Sequence, residues 1–199
     1  MTRSVEFYFD FGSPASYLAW TQLPALCAQE RASLVLRPML LGGVFQATGN
    51  HSPATVAAKG RYVFTDFARF ARRYGVPLVM NPHFPVNTMQ LMRAVSGLQM
   101  RQDARLTDFC NAMFAAVWVQ GLNMADPQVL ASTLEQAGFD AAQVLSLCAD
   151  AAVKEQLKAQ TEEAVARGVF GAPTLFVGDQ MFWGQDRLDF VREALQSLA

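Results

Sequence analysis

Short apolar runs near the two ends of the chain flank a long middle region in which apolar residues recur at helical spacing. Residues 4–11 are mostly apolar and rich in aromatic side chains, which predicts a strand buried on both faces. A helical pattern follows over residues 15–29, where Pro24 is predicted to kink the helix or to end its first part. Residues 33–36 predict a second strand, and the long crossover between the two strands favours a parallel pair.

The middle region begins with a segment of turn-forming residues and is helical after it. Residues 41–53 contain Gly42-Gly43, Gly49-Asn50 and Pro53, and this composition predicts a loop. A polar segment interrupted by prolines, residues 81–87, separates the first long helix from the others. The predicted helices span residues 55–74, 88–100, 106–120, 127–138, 139–148 and 151–167.

The last part of the chain returns to a β-type pattern. Residues 174–177 and 180–183 predict two strands joined by a tight turn at Gly178-Asp179, and residues 185–198 predict an amphipathic terminal helix. The order β-α-β, helices, β-β-α predicts an α/β, thioredoxin-like fold with a large all-helical insertion. Neither short β-containing part buries a sheet alone, so residues 1–45 and 168–199 are predicted to form one domain, and residues 46–167 a helical insertion domain.

Composition narrows the classes of function. A net charge of −1 gives no electrostatic case for nucleic acid or an anionic membrane as partner, and no apolar run has the length of a secretory signal or a membrane span. We therefore expect a cytoplasmic protein. The three cysteines, Cys27, Cys110 and Cys148, form no Cys-x-x-Cys pair and are predicted to be buried packing residues. With only two histidines, His51 and His83, we expect no metal site.

The first candidate for chemistry is Ser13, at the junction between the first strand and the first helix. Backbone N–H groups are open at a helix N-terminus, and the helix dipole favours an anion there, including a thiolate. Redox proteins of the thioredoxin arrangement carry Cys-x-x-Cys at this place, whereas this chain has Ser13-Pro14-Ala15-Ser16. A serine hydroxyl donates a hydrogen bond to a thiolate brought by another molecule. The alternative is that Ser13 only caps the helix.

Two further motifs lie near the C-terminus. Pro173 precedes a predicted strand and is a candidate for a cis peptide bond, in which case Ala172 presents its backbone to a bound thiol. The alternative is an ordinary proline at a strand start. Asp186 lies at the start of the last predicted helix, where it either caps that helix or receives the amino group of a γ-glutamyl ligand.

Other polar side chains leave the choice between ligand and solvent open. Asn50 and Lys59 are placed to meet a ligand carboxylate or to be solvated, and His83 is interpreted as a surface residue. Asn87 is predicted to cap the helix that starts at residue 88.

With these residues identified, the chain resembles the family of 2-hydroxychromene-2-carboxylate isomerases. That family belongs, with kappa-class glutathione transferases, to the DsbA-like thioredoxin group. The matching pieces, in family order from residue 5 to residue 190, are Phe7-Tyr8-Phe9-Asp10-Phe11-Gly12-Ser13-Pro14, Arg37-Pro38-Met39-Leu40-Leu41-Gly42-Gly43, Gly49-Asn50 with Lys59-Gly60, Asn81-Pro82 with Phe84-Pro85 and Asn87, Gly168-Val169-Phe170-Gly171-Ala172-Pro173-Thr174, and Trp183-Gly184-Gln185-Asp186-Arg187-Leu188.

The resemblance implies bound glutathione, a catalytic Ser13 hydrogen-bonded to its sulfur, and a homodimer. By position, the glutathione-binding residues are Ser13, Asn50, Ala172, Pro173, Trp183, Gln185 and Asp186. Residues implied to face a small aromatic carboxylate substrate are Leu41, Asn50, Lys59, Asn81, Phe84 and Asn87. Gly12 and Ala15 replace bulkier family residues and leave the identity of that substrate open.

The activity implied is glutathione-dependent conversion of 2-hydroxychromene-2-carboxylate to trans-o-hydroxybenzylidenepyruvate, a step of naphthalene-type aromatic catabolism. One alternative is a kappa-like transferase that conjugates glutathione to an electrophile. The other is a non-catalytic thioredoxin-fold binding module that has lost its cysteines.

Overall fold

A computed structural model describes residues 3–198 and contains a four-stranded sheet in the order β2-β1-β3-β4. Strand β1 (Ser4–Phe9) pairs in parallel with β2 (Ser33–Pro38) and antiparallel with β3 (Thr174–Val177), which pairs antiparallel with β4 (Gln180–Trp183). The predicted parallel pair is confirmed, and both C-terminal strands have their predicted bounds. The two ends of the chain thus share one sheet, as the thioredoxin arrangement requires.

Helix α1 (Pro14–Gln29) crosses between the parallel strands, and α9 (Leu188–Ser197) follows the hairpin of β3 and β4 after a short 3-10 turn, Gln185–Arg187. The described middle region contains α2 (Leu41–Thr48), a 3-10 turn (Pro53–Thr55), α3 (Ala57–Tyr74), α4 (Met89–Met100), α5 (Leu106–Trp118), α6 (Pro127–Gln136), α7 (Ala141–Ala149) and α8 (Ala151–Ala166).

The prediction of a loop over residues 41–53 was wrong for its first half, which is helix α2. Gly43 is not a turn residue here: a Cβ on it would lie 3.2 Å from Thr161 Cγ2, so the glycine allows α2 to approach α8. The helix ends at Thr48 and is followed by its capping residue Gly49, which has a φ of 71°. Pro24 likewise does not end its helix, because α1 continues to Gln29 with Leu23 and Leu26 buried on either side of the proline.

One hydrophobic core runs without interruption from the sheet into the helical region. It joins Phe7 and Phe9 of β1 to Phe114 of α5, and Trp118 donates its indole N–H to the carbonyl oxygen of Phe11 at 2.7 Å. The division into residues 1–45 with 168–199 and residues 46–167 stays a prediction. Residues 1–2 and 199 of that division lie outside the described residues.

The described residues also bear on membrane insertion and on the state of the cysteines. No helix within residues 3–198 combines the length and the apolar character needed to cross a bilayer. The three cysteines are free and buried, which confirms their predicted role in packing. Burial raises the pKa of Cys27 and that of Cys148 to about 11, and it raises the pKa of Cys110 further.

Candidate functional site

Ser13 joins the first helix to the segment before β3. Its Oγ accepts a hydrogen bond from the Ser16 amide at 3.1 Å, so it caps α1, and it donates to the Ala172 carbonyl oxygen at 3.0 Å. The predicted capping role of Ser13 is confirmed, and the donation to a bound thiolate stays a prediction, since the hydroxyl donates to Ala172 here. The structure brings these residues together although 159 positions separate them.

The segment that carries Ala172 is held in place by hydrogen bonds and by a close glycine contact. The Ala172–Pro173 peptide bond is cis, as predicted, and the Gly184 amide donates to the Pro173 carbonyl oxygen at 3.0 Å. A Cβ on Gly171 would lie 2.6 Å from the indole nitrogen of Trp183, so the backbone lies against that ring only because residue 171 is glycine. Ala172 therefore presents a fixed backbone beside Ser13.

A cavity of about 380 Å³ opens at this junction. Its polar lining residues include Ser13, Asn50, Lys59, Asp66, Gln185, Asp186 and Arg187. Its apolar and aromatic lining residues include Leu41, Phe45, Tyr62, Phe64, Phe67 and Phe84. Such a cavity suits a ligand, or two ligands together, with one polar part and one aromatic part.

Gln185 and Asp186 are consecutive residues that line the cavity. Gln185 is only 4% exposed; the Tyr74 hydroxyl donates to its Oε1 at 2.7 Å, and the Gln185 carbonyl oxygen lies 3.1 Å from the same hydroxyl. Asp186 pairs with Arg187, with 2.6 Å between Oδ2 and the guanidinium nitrogen. Asp186 makes no capping hydrogen bond, because α9 starts only at Leu188, so the capping alternative for Asp186 was wrong.

Most residues predicted for the site line this cavity, but their side chains differ in availability. Lys59 lies in the first turn of α3, is exposed, and forms no ion pair within the part of the chain that the structure describes. Asn50 is engaged on both sides: its Nδ2 donates to the Phe170 carbonyl oxygen at 2.7 Å, and its Oδ1 accepts from the His51 amide at 2.8 Å. Asn50 therefore ties its own segment to the loop before Pro173.

Two predicted substrate-binding residues lie outside the cavity lining. Asn81 is 2% exposed, and its amide donates to the carbonyl oxygens of Val117 and Leu122, so it organises buried backbone. Asn87 is exposed and accepts from the Met89 amide at 3.1 Å, one position before the N-cap of α4, Thr88, which makes no side-chain capping bond. Neither Asn81 nor Asn87 lines the cavity, and this corrects their assignment to the substrate.

A family model described as a DSBA-like thioredoxin domain matches residues 4–196. A 2-hydroxychromene-2-carboxylate isomerase from Sphingobium xenophagum is 34% identical over 197 residues, which cover 98% of this chain and 99% of that relative. The chain belongs to this family of DSBA-like isomerases. The predicted family and fold class are thereby confirmed.

Two other relatives match nearly the whole length of this chain. A solved structure of a 2-hydroxychromene-2-carboxylate isomerase has a TM-score of 0.87 to this chain at 32% identity, covering 98% of this chain and 95% of that one. Glutathione S-transferase kappa 1 from Homo sapiens is 28% identical over 98% of this chain and 92% of its own length. The DSBA-like isomerase family and the kappa transferases thus share this fold at nearly full length.

Sequence reasoning missed two residues that organise the site of this family member. Asp10 is buried and accepts hydrogen bonds from the Gly12 amide at 2.9 Å, the Leu41 amide at 2.9 Å and the Thr88 hydroxyl at 2.5 Å. Burial raises the pKa of its carboxyl, while these three hydrogen bonds act in the opposite direction. Asp10 therefore fixes the starts of α1, α2 and α4 around one carboxylate, and its position directly after an apolar strand was the available signal.

Tyr74 is the second residue that was missed. It ends α3 and reaches Gln185 across 111 positions of sequence. Burial, and then the negative charge of Asp186, raise the pKa of Tyr74 to about 12, so its hydroxyl stays protonated and able to donate. No local sequence pattern indicates such a contact.

Proposed function

We propose that this protein binds glutathione in the cavity and is a glutathione-dependent isomerase acting on 2-hydroxychromene-2-carboxylate. The observation that carries the proposal is the contact of 3.0 Å between Ser13 Oγ and the Ala172 carbonyl oxygen, at the N-terminus of a 16-residue helix and at the edge of the cavity. The names of the relatives supply the chemistry, because three of them are 2-hydroxychromene-2-carboxylate isomerases at 34% identity and others are kappa-class glutathione transferases.

The donor groups in the cavity fit glutathione. Ser13 offers a hydrogen bond and the N-terminal end of the α1 dipole offers positive potential to a thiolate. The hydroxyl proton that is directed at Ala172 in this structure would turn to the sulfur of a bound ligand. Gln185 and Asp186, which line the same cavity, offer a donor and an acceptor to the charged γ-glutamyl group. Trp183 lines the cavity as well and lies against Gly171.

The apolar side of the cavity fits an aromatic carboxylate. Phe64 packs edge-on against Phe84 with 5.4 Å between ring centroids, which makes a firm wall for an aromatic ring. Lys59 is exposed, lines the cavity and supplies a positive charge for a carboxylate. Ser13 and the aromatic residues line one cavity, so the reacting sulfur and the substrate double bond share it.

When bound, glutathione would supply a thiolate for reversible addition to the conjugated double bond of the ring-opened substrate, in which the hemiketal C–O bond has broken to give a ketone and a phenol. Addition makes the double bond single and permits rotation, and elimination of the thiolate restores a double bond in the trans form. The chain itself offers no equivalent group, because its three thiols are buried with raised pKa values. Ser13 would hold a hydrogen bond to the thiolate before it adds and again when it leaves. No cysteine pair is needed, since the isomerisation involves no net oxidation.

The test is conversion of 2-hydroxychromene-2-carboxylate by purified protein with glutathione, without thiol, and with S-methylglutathione. We expect conversion to trans-o-hydroxybenzylidenepyruvate only with glutathione. A rate that does not depend on glutathione contradicts the proposal.

A kappa-like transferase is the second candidate, favoured by the human kappa relative at 28% identity. A stable thioether in the product mixture, instead of the isomer, decides for it. Glutathione binding without turnover of either kind decides for a binding module.

The resemblance that supports this function also supports a homodimer in the cytoplasm. Light scattering on the purified protein measures the mass directly and tests the dimer. A single-chain mass at micromolar concentration contradicts it.

A further inference from the structure

Within the described protein, the side-chain amide of Gln185 forms a hydrogen bond through its oxygen and none through its nitrogen. Its Oε1 accepts from the Tyr74 hydroxyl at 2.7 Å, and no protein partner of its Nε2 occurs among residues 3–198. The residue is 4% exposed and lines the cavity. Within the described chain, the one fully buried side-chain polar atom that lacks a hydrogen-bond partner is Ser16 Oγ. The Nε2 of Gln185 also lacks a protein partner, so it is not fully buried. The free N–H groups of Gln185 therefore open to the cavity.

Tyr74 determines which end of this amide faces the cavity. The separation of 2.7 Å matches an O–H···O bond and is shorter than the usual N–H···O distance. The raised pKa of Tyr74, about 12, keeps the hydroxyl a donor at any working pH. The hydroxyl has a single hydrogen, and its contact with Oε1 is shorter than its contact of 3.1 Å with the Gln185 carbonyl oxygen, so Oε1 is its main acceptor. The amide oxygen is thus held against Tyr74, and the nitrogen is left for a ligand.

We infer that Tyr74 is a positioning residue that makes Gln185 a hydrogen-bond donor for the α-carboxylate of the bound thiol. This inference rests on the proposed binding of glutathione. The next residue, Asp186, carries the opposite polarity because a carboxylate only accepts. Donor and acceptor side by side match the carboxylate and ammonium of one amino-acid head group. Tyr74 therefore selects thiols that carry a free α-carboxylate at their γ-glutamyl end.

The experiment measures binding of three peptides by calorimetry. The peptides are glutathione, glutaryl-Cys-Gly, which keeps the carboxylate and lacks the ammonium, and 4-aminobutyryl-Cys-Gly, which keeps the ammonium and lacks the carboxylate. For Tyr74→Phe we expect roughly ten-fold weaker binding of the first two and unchanged binding of the third. Tyr17→Phe is the matched control, because Tyr17 is a buried tyrosine that does not line the cavity. Its hydroxyl donates to the Pro77 carbonyl oxygen at 2.6 Å.

A second variant tests the direction of the amide itself. Gln185→Glu keeps the shape and the acceptor for Tyr74 but directs a carboxylate oxygen at the ligand's carboxylate. We expect it to weaken glutathione and glutaryl-Cys-Gly by more than ten-fold and to spare 4-aminobutyryl-Cys-Gly.

Three results overturn the assignment. Equal losses for all three peptides in Tyr74→Phe give Tyr74 a merely structural role. If Gln185→Glu binds glutathione as tightly as the wild type does, then Oε1 and not Nε2 of Gln185 faces the ligand. Selective loss of carboxylate recognition in Arg187→Gln, with Tyr74→Phe unaffected, places the carboxylate on Arg187. Wild-type protein that binds none of the peptides contradicts the proposed function first, and the assignment falls with it.

Discussion

At the scale of single residues, the three cysteine thiols of the chain lie outside the cavity that contains Ser13. None of Cys27, Cys110 and Cys148 lines the cavity, and all three are buried. The place where a redox relative of this fold has a reactive cysteine is occupied by Ser13, whose hydroxyl is a donor and not a nucleophile at neutral pH. The residues at the site therefore suit a thiol that arrives with a ligand.

The native thiols should be unreactive toward a disulfide reagent such as DTNB at pH 8. With a pKa of about 11, roughly a thousandth of a thiol is ionised at that pH, and burial blocks access as well. Addition of denaturant should expose three titratable thiols. Rapid modification of the native protein contradicts the burial.

The same pKa values predict how stability depends on alkaline pH. The thiols of the unfolded chain ionise near the ordinary value of 9.0, whereas those of Cys27 and Cys148 ionise near 11 when folded. The raised folded pKa contributes stability that is present below pH 9 and is lost as the pH rises toward 11. Denaturant unfolding at pH 8 and at pH 10 measures the decrease.

At the scale of elements, the capping of α1 and the chemistry of the site use the same hydroxyl. Ser13→Ala removes the acceptor for the Ser16 amide and the donor to Ala172, so we expect it to lower the free energy of unfolding by about 1–2 kcal/mol and to abolish most isomerase activity.

Asp126→Ala is the control, because Asp126 caps α6 through the amides of Gln128 and Val129 outside the cavity lining. We expect a loss of about 1 kcal/mol in stability with the activity unchanged. An equal loss of activity in both variants would reduce Ser13 to a structural cap.

The elements also show what the sequence could predict. Strands β3 and β4 were placed correctly because their apolar runs and the turn at Gly178-Asp179 are local signals, and Gly178 has a φ of 58° as such a turn requires. Helix α2 was missed because Gly42 and Gly43 are typical turn residues, whereas Gly43 here serves contact with a distant helix. The contact between Tyr74 and Gln185 depends on the whole fold, and no local pattern contains it.

At the scale of the whole molecule, the core continues across the predicted boundary between the thioredoxin part and the helical insertion. We expect circular dichroism and tryptophan fluorescence to report one coincident unfolding transition, because the two parts bury their apolar faces in the same cluster. Two separated transitions would show that the parts fold independently.

Gly97→Ala tests the packing inside the helical region. A Cβ at this position of α4 would lie 2.5 Å from Leu147 Cγ, so we expect overpacking to cost about 1–3 kcal/mol and to shift the entire transition. Gly42→Ala is the matched control, since nothing lies within 4 Å of its Cβ and alanine favours the helix by about 0.5–1 kcal/mol. Destabilisation by both variants would contradict the packing argument.

The most direct measurement is a pH titration of the ultraviolet absorbance of glutathione thiolate in its complexes with wild-type protein and Ser13→Ala. The arrangement of Ser13, Ala172 and the start of α1 predicts a thiol pKa at least about one unit below the ordinary value of about 8.5 in the wild-type complex. In Ser13→Ala most of that decrease should disappear. An unchanged thiol pKa in the wild-type complex, or the same decrease in both proteins, would contradict the account.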